Sequence, residues 1–156
     1  LSRLPLSQVG AVIHRQSIVH SLVEFRDGAL LAQLGTPDMK LPIQYALFYP
    51  DRRYLDSERI DFFKLGSISF EEADTRTFRG LDLAFDAARD GGSMPTVFNA
   101  ANEKAVELFL MGKIGFLDIY SVIEASMERH DTIEDPSIDE ILEVEKETYE
   151  FIEGKW

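Results

Sequence analysis

The sequence predicts an α+β protein, in which a small β-rich piece is followed by an all-α four-helix bundle. Three observations lead to this fold class. Alternating apolar and polar residues on both sides of Asp27-Gly28 indicate a β-hairpin. A polar, linker-like stretch covers residues 71–79, and beyond it apolar residues recur with the spacing of amphipathic helices.

The predicted hairpin has two strands, Ser17–Phe25 and Ala29–Leu34, joined by Arg26-Asp27-Gly28. The glycine can take the positive φ that a tight reversal requires. The second strand has to end at Gly35-Thr36-Pro37-Asp38, because proline has no N–H to donate to a ladder. Residues 38–40 are therefore expected in a loop at the end of the sheet.

Shorter elements flank the hairpin. The apolar run Val9–Ile13 predicts a short buried strand, and Ser67–Phe70 predicts a short alternating one. Pro42–Tyr49 starts with proline at a first helical position and is closed by Pro50, which predicts one or two helical turns. The charged stretch Asp51–Arg59 has no period and is expected to be a loop.

Four helices are predicted in the second half, each with an apolar stripe on one side. The first stops at Gly91-Gly92, and the fourth starts with Ser137 and Glu140 as a capping box. Their approximate spans are 81–90, 97–111, 116–129 and 138–152. Short loops between such helices predict an up-and-down bundle. We therefore expect two domains, residues 1–74 and residues 75–156, of which the first is small for an independent core.

Composition excludes several classes of protein. With 45% hydrophobic and 28% charged residues in 156, the chain is expected to be globular. Its net charge of −12 argues against nucleic-acid binding, and the absence of cysteine excludes disulfides. No apolar run approaches the roughly 20 residues that span a bilayer. The N-terminus does not resemble a signal peptide, and a start at Leu1 leads us to expect a longer polypeptide.

Residue chemistry alone gives no complete catalytic constellation. Regular alternation would place His14 and His20 on one face of an extended strand, but about 20 Å apart, too far to share a metal ion. The acidic stretches Glu71–Asp74 and Glu134–Glu140 lack the pattern of a calcium loop and are explained by solvated surface. Glycine-rich nucleotide loops and nucleophile elbows are absent from the sequence.

Three long strings nevertheless resemble, in the same order, the 1-deoxy-D-xylulose 5-phosphate reductoisomerase family. They are IHRQSIVHSLVEFRDGALLAQLGTPDMKLPIQYAL, RIDFFKLGSISFEEAD and PTVFNAANEKAVELFL. The resemblance runs from about Val9 into the fourth predicted helix without obvious gaps. The family pattern usually has proline where Arg15 stands, so the local backbone there is expected to differ.

The resemblance implies an NADPH-dependent enzyme of non-mevalonate isoprenoid biosynthesis. Such enzymes rearrange 1-deoxy-D-xylulose 5-phosphate and reduce the product to 2-C-methyl-D-erythritol 4-phosphate, with Mg²⁺ or Mn²⁺. They consist of a dinucleotide-binding domain, a catalytic domain that forms the homodimer, and a C-terminal helical bundle. Residues 1–74 would be the end of the catalytic domain with a linker, and residues 75–156 the bundle. A bacterial cytoplasm, or a plastid-type organelle, is the expected location.

The family's nucleotide loop, metal ligands and phosphate-binding groups precede the matching stretch. No catalytic, cofactor-binding or metal-binding residue is therefore assigned on this chain, which alone is expected to bind no cofactor and to be inactive. Three residues match family positions that line the substrate and nicotinamide pocket: His20, Pro37 and Met39. For His20 the alternative is a strand histidine satisfied by a neighbour, which the sequence alone favours. For Pro37 and Met39 the alternatives are a turn proline and a core methionine, but their position at a strand's end favours the pocket.

A competing hypothesis is a non-catalytic dimerisation or interaction module. The hairpin would then pair edge to edge with another copy, and the acidic bundle would bind a partner protein. An upstream nucleotide-binding βαβ unit would favour the enzyme.

Overall fold

The structure is a computed structural model that describes residues 4–156. Leu1, on which the expectation of a longer polypeptide rests, lies outside the described residues. The described part contains a 3-10 turn, two strands and six helices, so the predicted α+β class is confirmed. The strands are β1 (Val19–Glu24) and β2 (Leu30–Leu34); the helices are α1 (Lys40–Phe48), α2 (Phe62–Leu65), α3 (Gly80–Asp90), α4 (Met94–Leu110), α5 (Asp118–Arg129) and α6 (Ile138–Lys155).

Contacts divide the chain into two compact units. The hairpin unit is Ala11–Ala73, and the helical unit consists of Asp74–Trp156 and the described residues before Ala11. The 3-10 turn Leu6–Gln8 packs against α3 of the helical unit. Within residues 4–156, no helix is long and apolar enough to cross a bilayer.

The predicted hairpin is confirmed. β1 and β2 are antiparallel, and the Phe25 N–H donates to the Ala29 carbonyl at 2.8 Å. Gly28 has a φ of +84°, and its N–H donates to the Phe25 carbonyl at 2.9 Å. Asp27 fixes the turn by accepting from the Ala29 N–H at 3.0 Å. Glycine at this position is therefore required by the backbone.

Two of the short strands predicted on either side of the hairpin are wrong. Val9–Ile13 is exposed and Ser67–Phe70 is not a strand. Within residues 4–156, Ile13 forms one isolated antiparallel bridge, to Glu71, the residue that follows the second segment. Side-chain bonds, instead of further backbone pairing, connect this region. Arg15 donates two hydrogen bonds to the Glu71 carboxylate, at 2.8 and 2.9 Å, and this ion pair lowers the pKa of Glu71. Neither segment finds a second strand to pair with among residues 4–156, so neither is buried.

The helical unit has the core. α4 packs against α3, α5 and α6, and the helix ends agree with the predicted ones to within about three residues. Ala101 and Ala105 on α4 are fully buried, which lets neighbouring helices approach closely. Ile123 on α5 and Ile152 on α6 are also buried, and each contributes roughly 2–3 kcal/mol by leaving water. The up-and-down order of the helices stays a prediction.

Ser93 joins the α3–α4 loop to the segment before α6. Its side chain is fully buried, its N–H donates to the Ile133 carbonyl at 2.9 Å, and its Oγ accepts from the Ile133 N–H at 2.9 Å. The same Oγ lies 2.7 Å from Nε2 of His130, to which it can donate its single proton. Gly92, with a φ of +51°, passes directly beneath the Ile133 carbonyl.

The capping box at the start of α6 is confirmed. The Ser137 Oγ–H and N–H donate to Oε2 of Glu140 at 2.7 and 2.8 Å, and the Glu140 N–H donates to Ser137 Oγ at 3.3 Å. The side-chain bond first, and the backbone bond second, hold the pKa of Glu140 below its usual 4.5. A carboxylate with a lowered folded pKa stabilises the fold above its unfolded pKa, and this contribution is lost as the pH falls through the folded value.

We therefore expect Glu140→Gln to reduce the acid sensitivity of the helical unit. Between about pH 6 and about pH 3, the free energy of unfolding should fall less in the variant than in the wild type. Urea titrations followed by Trp156 fluorescence measure this difference, because Trp156 lies in the helical unit. Glu147→Gln, which removes a charge from the same helix outside the capping box, is the control, and an equal effect of both variants would contradict the assignment.

Candidate functional site

One concavity of the hairpin unit brings the three predicted pocket residues together. It has a volume of about 510 Å³ and is formed where β1, β2 and the start of α1 meet. His20 lines it from β1, and Pro37 and Met39 line it from the loop after β2. The loop that the sequence placed at the end of the sheet thus forms one side of this concavity, although Lys40, which was expected in the loop, already begins α1.

Hydrogen bonds hold this loop. The Gly35 N–H donates to the Ile18 carbonyl at 2.9 Å, which extends the hairpin by one bond beyond β2. Asp38 Oδ1 accepts from the Lys40 N–H at 2.9 Å and so satisfies a backbone donor at the start of α1. Thr36 Oγ1 donates to the Glu58 carbonyl at 3.1 Å. The loop is therefore anchored at its beginning, middle and end.

His20 occupies a β-bulge, which the sequence did not predict. Val19 pairs with Leu34 and Ser21 with Gln33, so the residue between them on β1 has no opposite partner. The bulge breaks the regular alternation expected for this strand and re-aims the histidine. His20 Nε2 lies 3.1 Å from the Gly35 carbonyl oxygen, and since a carbonyl only accepts, Nε2 carries a proton.

Pro37 and Met39 present apolar surface at the opening of the concavity. Both are exposed, and Met39 retains 69% of its accessible surface. Met39 occupies the N-cap of α1, so its position is fixed although its side chain is free. An exposed thioether beside a proline ring can pack against an apolar ligand without competing for its hydroxyl groups. Within Ala11–Ala73 this methionine is therefore not part of a packed core.

The lining residues that the sequence reasoning missed include Ser17 and Gln33. Ser17 is the only non-glycine with positive φ among residues 4–156, at +51°, and it lines the same concavity. Such a conformation is uncommon for serine and recurs at functional sites. Gln33 lines the concavity from β2. No pattern in the sequence marks either residue. The backbone conformation of Ser17 is an isolated feature, the pairing of Gln33 depends on the bulge, and neither leaves a periodic signal.

The other two histidines lie outside this concavity. His14 Nδ1 donates to the Ser69 carbonyl at 2.8 Å, and its ring stacks on Phe70 with centroids 4.9 Å apart. His130 belongs to the helical unit, beside Ser93. Residues 4–156 contain no group of three or more histidines, aspartates or glutamates that could hold a metal ion. The described donor set therefore does not fit a metal centre by itself.

Comparisons with known proteins agree with this arrangement. The family model for the DXP reductoisomerase C-terminal domain matches residues 34–151. The 1-deoxy-D-xylulose 5-phosphate reductoisomerases of Agathobacter rectalis and Bacillus subtilis are 56% and 51% identical to the chain over 97% and 96% of its length. The chain spans about 40% of the length of these curated relatives.

Solved structures give the same result. The reductoisomerase of Zymomonas mobilis in complex with NADPH superposes with a TM-score of 0.89 at 38% identity, over 97% of this chain and 40% of the other. A reductoisomerase in complex with NADPH, fosmidomycin and magnesium gives a TM-score of 0.84 at 41% identity, over 92% of this chain and 38% of the other. By its sequence and its fold, the chain belongs to the 1-deoxy-D-xylulose 5-phosphate reductoisomerase family.

Proposed function

We propose that the full-length polypeptide is an NADPH- and divalent-metal-dependent reductoisomerase that converts 1-deoxy-D-xylulose 5-phosphate to 2-C-methyl-D-erythritol 4-phosphate. This chain is its C-terminal portion: residues 1–74 end the catalytic and dimerisation domain, and residues 75–156 form the C-terminal helical domain. The observation that carries the proposal is identity of 56% over 97% of the chain to a reductoisomerase. Similar structures that contain NADPH and magnesium support both cofactors.

The chain's own contribution is one wall of the substrate pocket. When bound, NADPH supplies the hydride and Mg²⁺ or Mn²⁺ the Lewis acidity, and the groups that hold them belong to the part of the polypeptide outside this chain. Pro37 and Met39 pack against the apolar face of the nicotinamide or the substrate's carbon skeleton. His20, held by Gly35, keeps a fixed imidazole at the same wall.

The hairpin unit's exposed apolar side chains support a larger assembly. Within Ala11–Ala73 only Gly35 is buried, while Leu31 on β2 is 65% exposed and Leu47 on α1 is 75% exposed. A unit without a core of its own needs further chain to cover these residues. We propose that the remainder of the polypeptide and a second copy in a homodimer do so. The same exposure is the observation that favours a non-catalytic interaction module, so activity has to decide between them.

A turnover assay separates the two functions. We expect the full-length polypeptide to oxidise NADPH when 1-deoxy-D-xylulose 5-phosphate and Mg²⁺ or Mn²⁺ are both present, and we expect this chain alone to show no turnover. Absorbance of NADPH reports the rate, and light scattering after size exclusion reports the dimer. A full-length protein without metal-dependent turnover would favour the interaction module, and turnover by the chain alone would contradict the assignment of the chemistry to other residues.

A further inference from the structure

A second concavity of the hairpin unit plays no part in the proposed function. Its volume is about 280 Å³, and it shares Gly35, Thr36 and Leu41 with the candidate site. Arg52, Arg53 and Arg59 line it. We propose that this arginine concavity binds a small organic phosphate, with its anionic group on the arginines and its apolar body against leucine side chains.

Stacking holds two of the three guanidinium groups in place. Arg52 Cζ lies 3.5 Å from the ring centroid of Tyr45, and Arg53 Cζ lies 4.0 Å from that of Phe48. Both rings belong to α1, so the two arginines are ordered by one helix. A stacked guanidinium keeps its N–H groups free at the edge of the plane, where they can bind a phosphate in a two-bond geometry.

In the part of the chain that is described, these arginine side chains have no carboxylate or hydrogen-bond partner. Arg15, Arg79 and Arg89 all pair with carboxylates. None of the ion pairs or hydrogen bonds among residues 4–156 uses the side chain of Arg52, Arg53 or Arg59. Three unpaired cations in one concavity are unexpected for a chain with a net charge of −12.

Two carboxylates also line the concavity, and they do not neutralise it. Asp51 and Glu58 form no ion pair within 4.0 Å, although three arginines line the same space. Three cations and two anions leave one net positive charge in the concavity. A phosphate can accept two parallel N–H bonds from a guanidinium, whereas the two carboxylates lie too far from the arginines to do so. The balance favours a small anion over a polyanion such as nucleic acid.

The shape of the concavity is fixed from two sides. Gln44 Nε2 on α1 donates to the Tyr54 carbonyl at 3.0 Å, and Thr36 Oγ1 donates to the Glu58 carbonyl at 3.1 Å. These bonds hold the irregular stretch 51–60 against α1 and against the loop that follows β2. Leu34 and Leu41 supply apolar lining. A volume just below the roughly 300 Å³ of the smallest usual ligand pockets fits a small phosphate ester.

The test is a titration of the full-length protein with inorganic phosphate and with phenyl phosphate, followed by calorimetry. We expect phenyl phosphate to bind more tightly, and added salt to weaken both. Arg52→Met and Arg53→Met should each weaken binding by about tenfold, since a charged hydrogen-bond partner is lost. Arg26→Met, which removes an arginine without an ion pair from the hairpin turn, is the control and should bind as the wild type does.

Repeating the titration without metal, with saturating 1-deoxy-D-xylulose 5-phosphate and NADPH, separates this site from the substrate and cofactor sites, because arginine-dependent binding that persists belongs to the arginine concavity. In the wild-type protein, the Nε–H resonances of Arg52 and Arg53 should shift on addition of phenyl phosphate, which tests the proposal even where a variant misfolds. Unchanged resonances, or equal affinities of all three methionine variants and the wild type, would overturn it. An enzyme that fails to turn over but keeps arginine-dependent binding would count against the proposed function alone.

Discussion

Replacing Gly92 by alanine is expected to destabilise the helical unit by about 3 kcal/mol or more. A Cβ at this position would lie 2.1 Å from the Ile133 carbonyl oxygen and 3.1 Å from the Glu134 Cα. Both neighbours are backbone atoms and cannot rotate away. Relief of the overlap would separate Ile133 from Ser93, and three polar groups at this buried junction would then lose partners.

Gly112→Ala is the matched control for Gly92. Gly112 also has a positive φ, of +71°, but nothing lies within 4 Å of the Cβ position. Its substitution should therefore cost only the backbone term, about 1 kcal/mol. Urea unfolding followed by Trp156 fluorescence measures both changes. Equal losses for the two variants would show that the junction between Gly92 and Ile133 is not tightly packed.

Replacing His20 by alanine is expected to lower kcat/KM of the full-length enzyme by about 10- to 100-fold. The variant loses the imidazole at the pocket wall and the bond to the Gly35 carbonyl. His20→Gln separates the two losses, because its amide N–H can reach the same carbonyl. A residue that contacts substrate or nicotinamide should stay impaired as glutamine, and full rescue by glutamine would assign His20 to loop anchoring alone.

His14→Ala is the control for this measurement. His14 lies in the same segment but binds the Ser69 carbonyl and stacks on Phe70, outside the concavity. We expect it to lower thermal stability and to leave kcat/KM of the folded enzyme close to wild type. A loss of activity as large as that of His20→Ala would mean that the whole segment, rather than one imidazole, determines activity.

The sequence predicted local structure wherever one residue type imposes a conformation. Gly28 at the hairpin turn, Pro37 after β2 and the Ser137–Glu140 capping box all stand where they were expected. The helices were predicted equally well, because each one packs against a shared core and therefore has a buried apolar residue every three or four positions. The loop that contains Pro37 and Met39 was predicted because the second strand has to end at a proline. Its role as a pocket wall was predicted from the match to family positions.

The failures come from features without a periodic signal. Val9–Ile13 is apolar, but its burial depends on neighbours that residues 4–156 do not provide. The bulge at His20 depends on the register between β1 and β2, which the pattern of one strand does not encode. Ser17 adopts a positive φ that its residue type disfavours. Arg52 and Arg53 belong to a charged, aperiodic stretch that predicted only a loop, and their stacking on α1 becomes visible only in the fold.

The most direct test of the pocket wall uses the four methionines of this chain as reporters. In the full-length enzyme labelled with ¹³C at the methionine methyl groups, NADPH and 1-deoxy-D-xylulose 5-phosphate should shift the Met39 resonance. Met111, which is 59% exposed in the helical unit against 69% for Met39, serves as the matched reference and should stay unchanged with the buried Met94 and Met127. A Met39 chemical shift that changes with neither ligand would contradict the placement of Gly35–Lys40 at the substrate pocket.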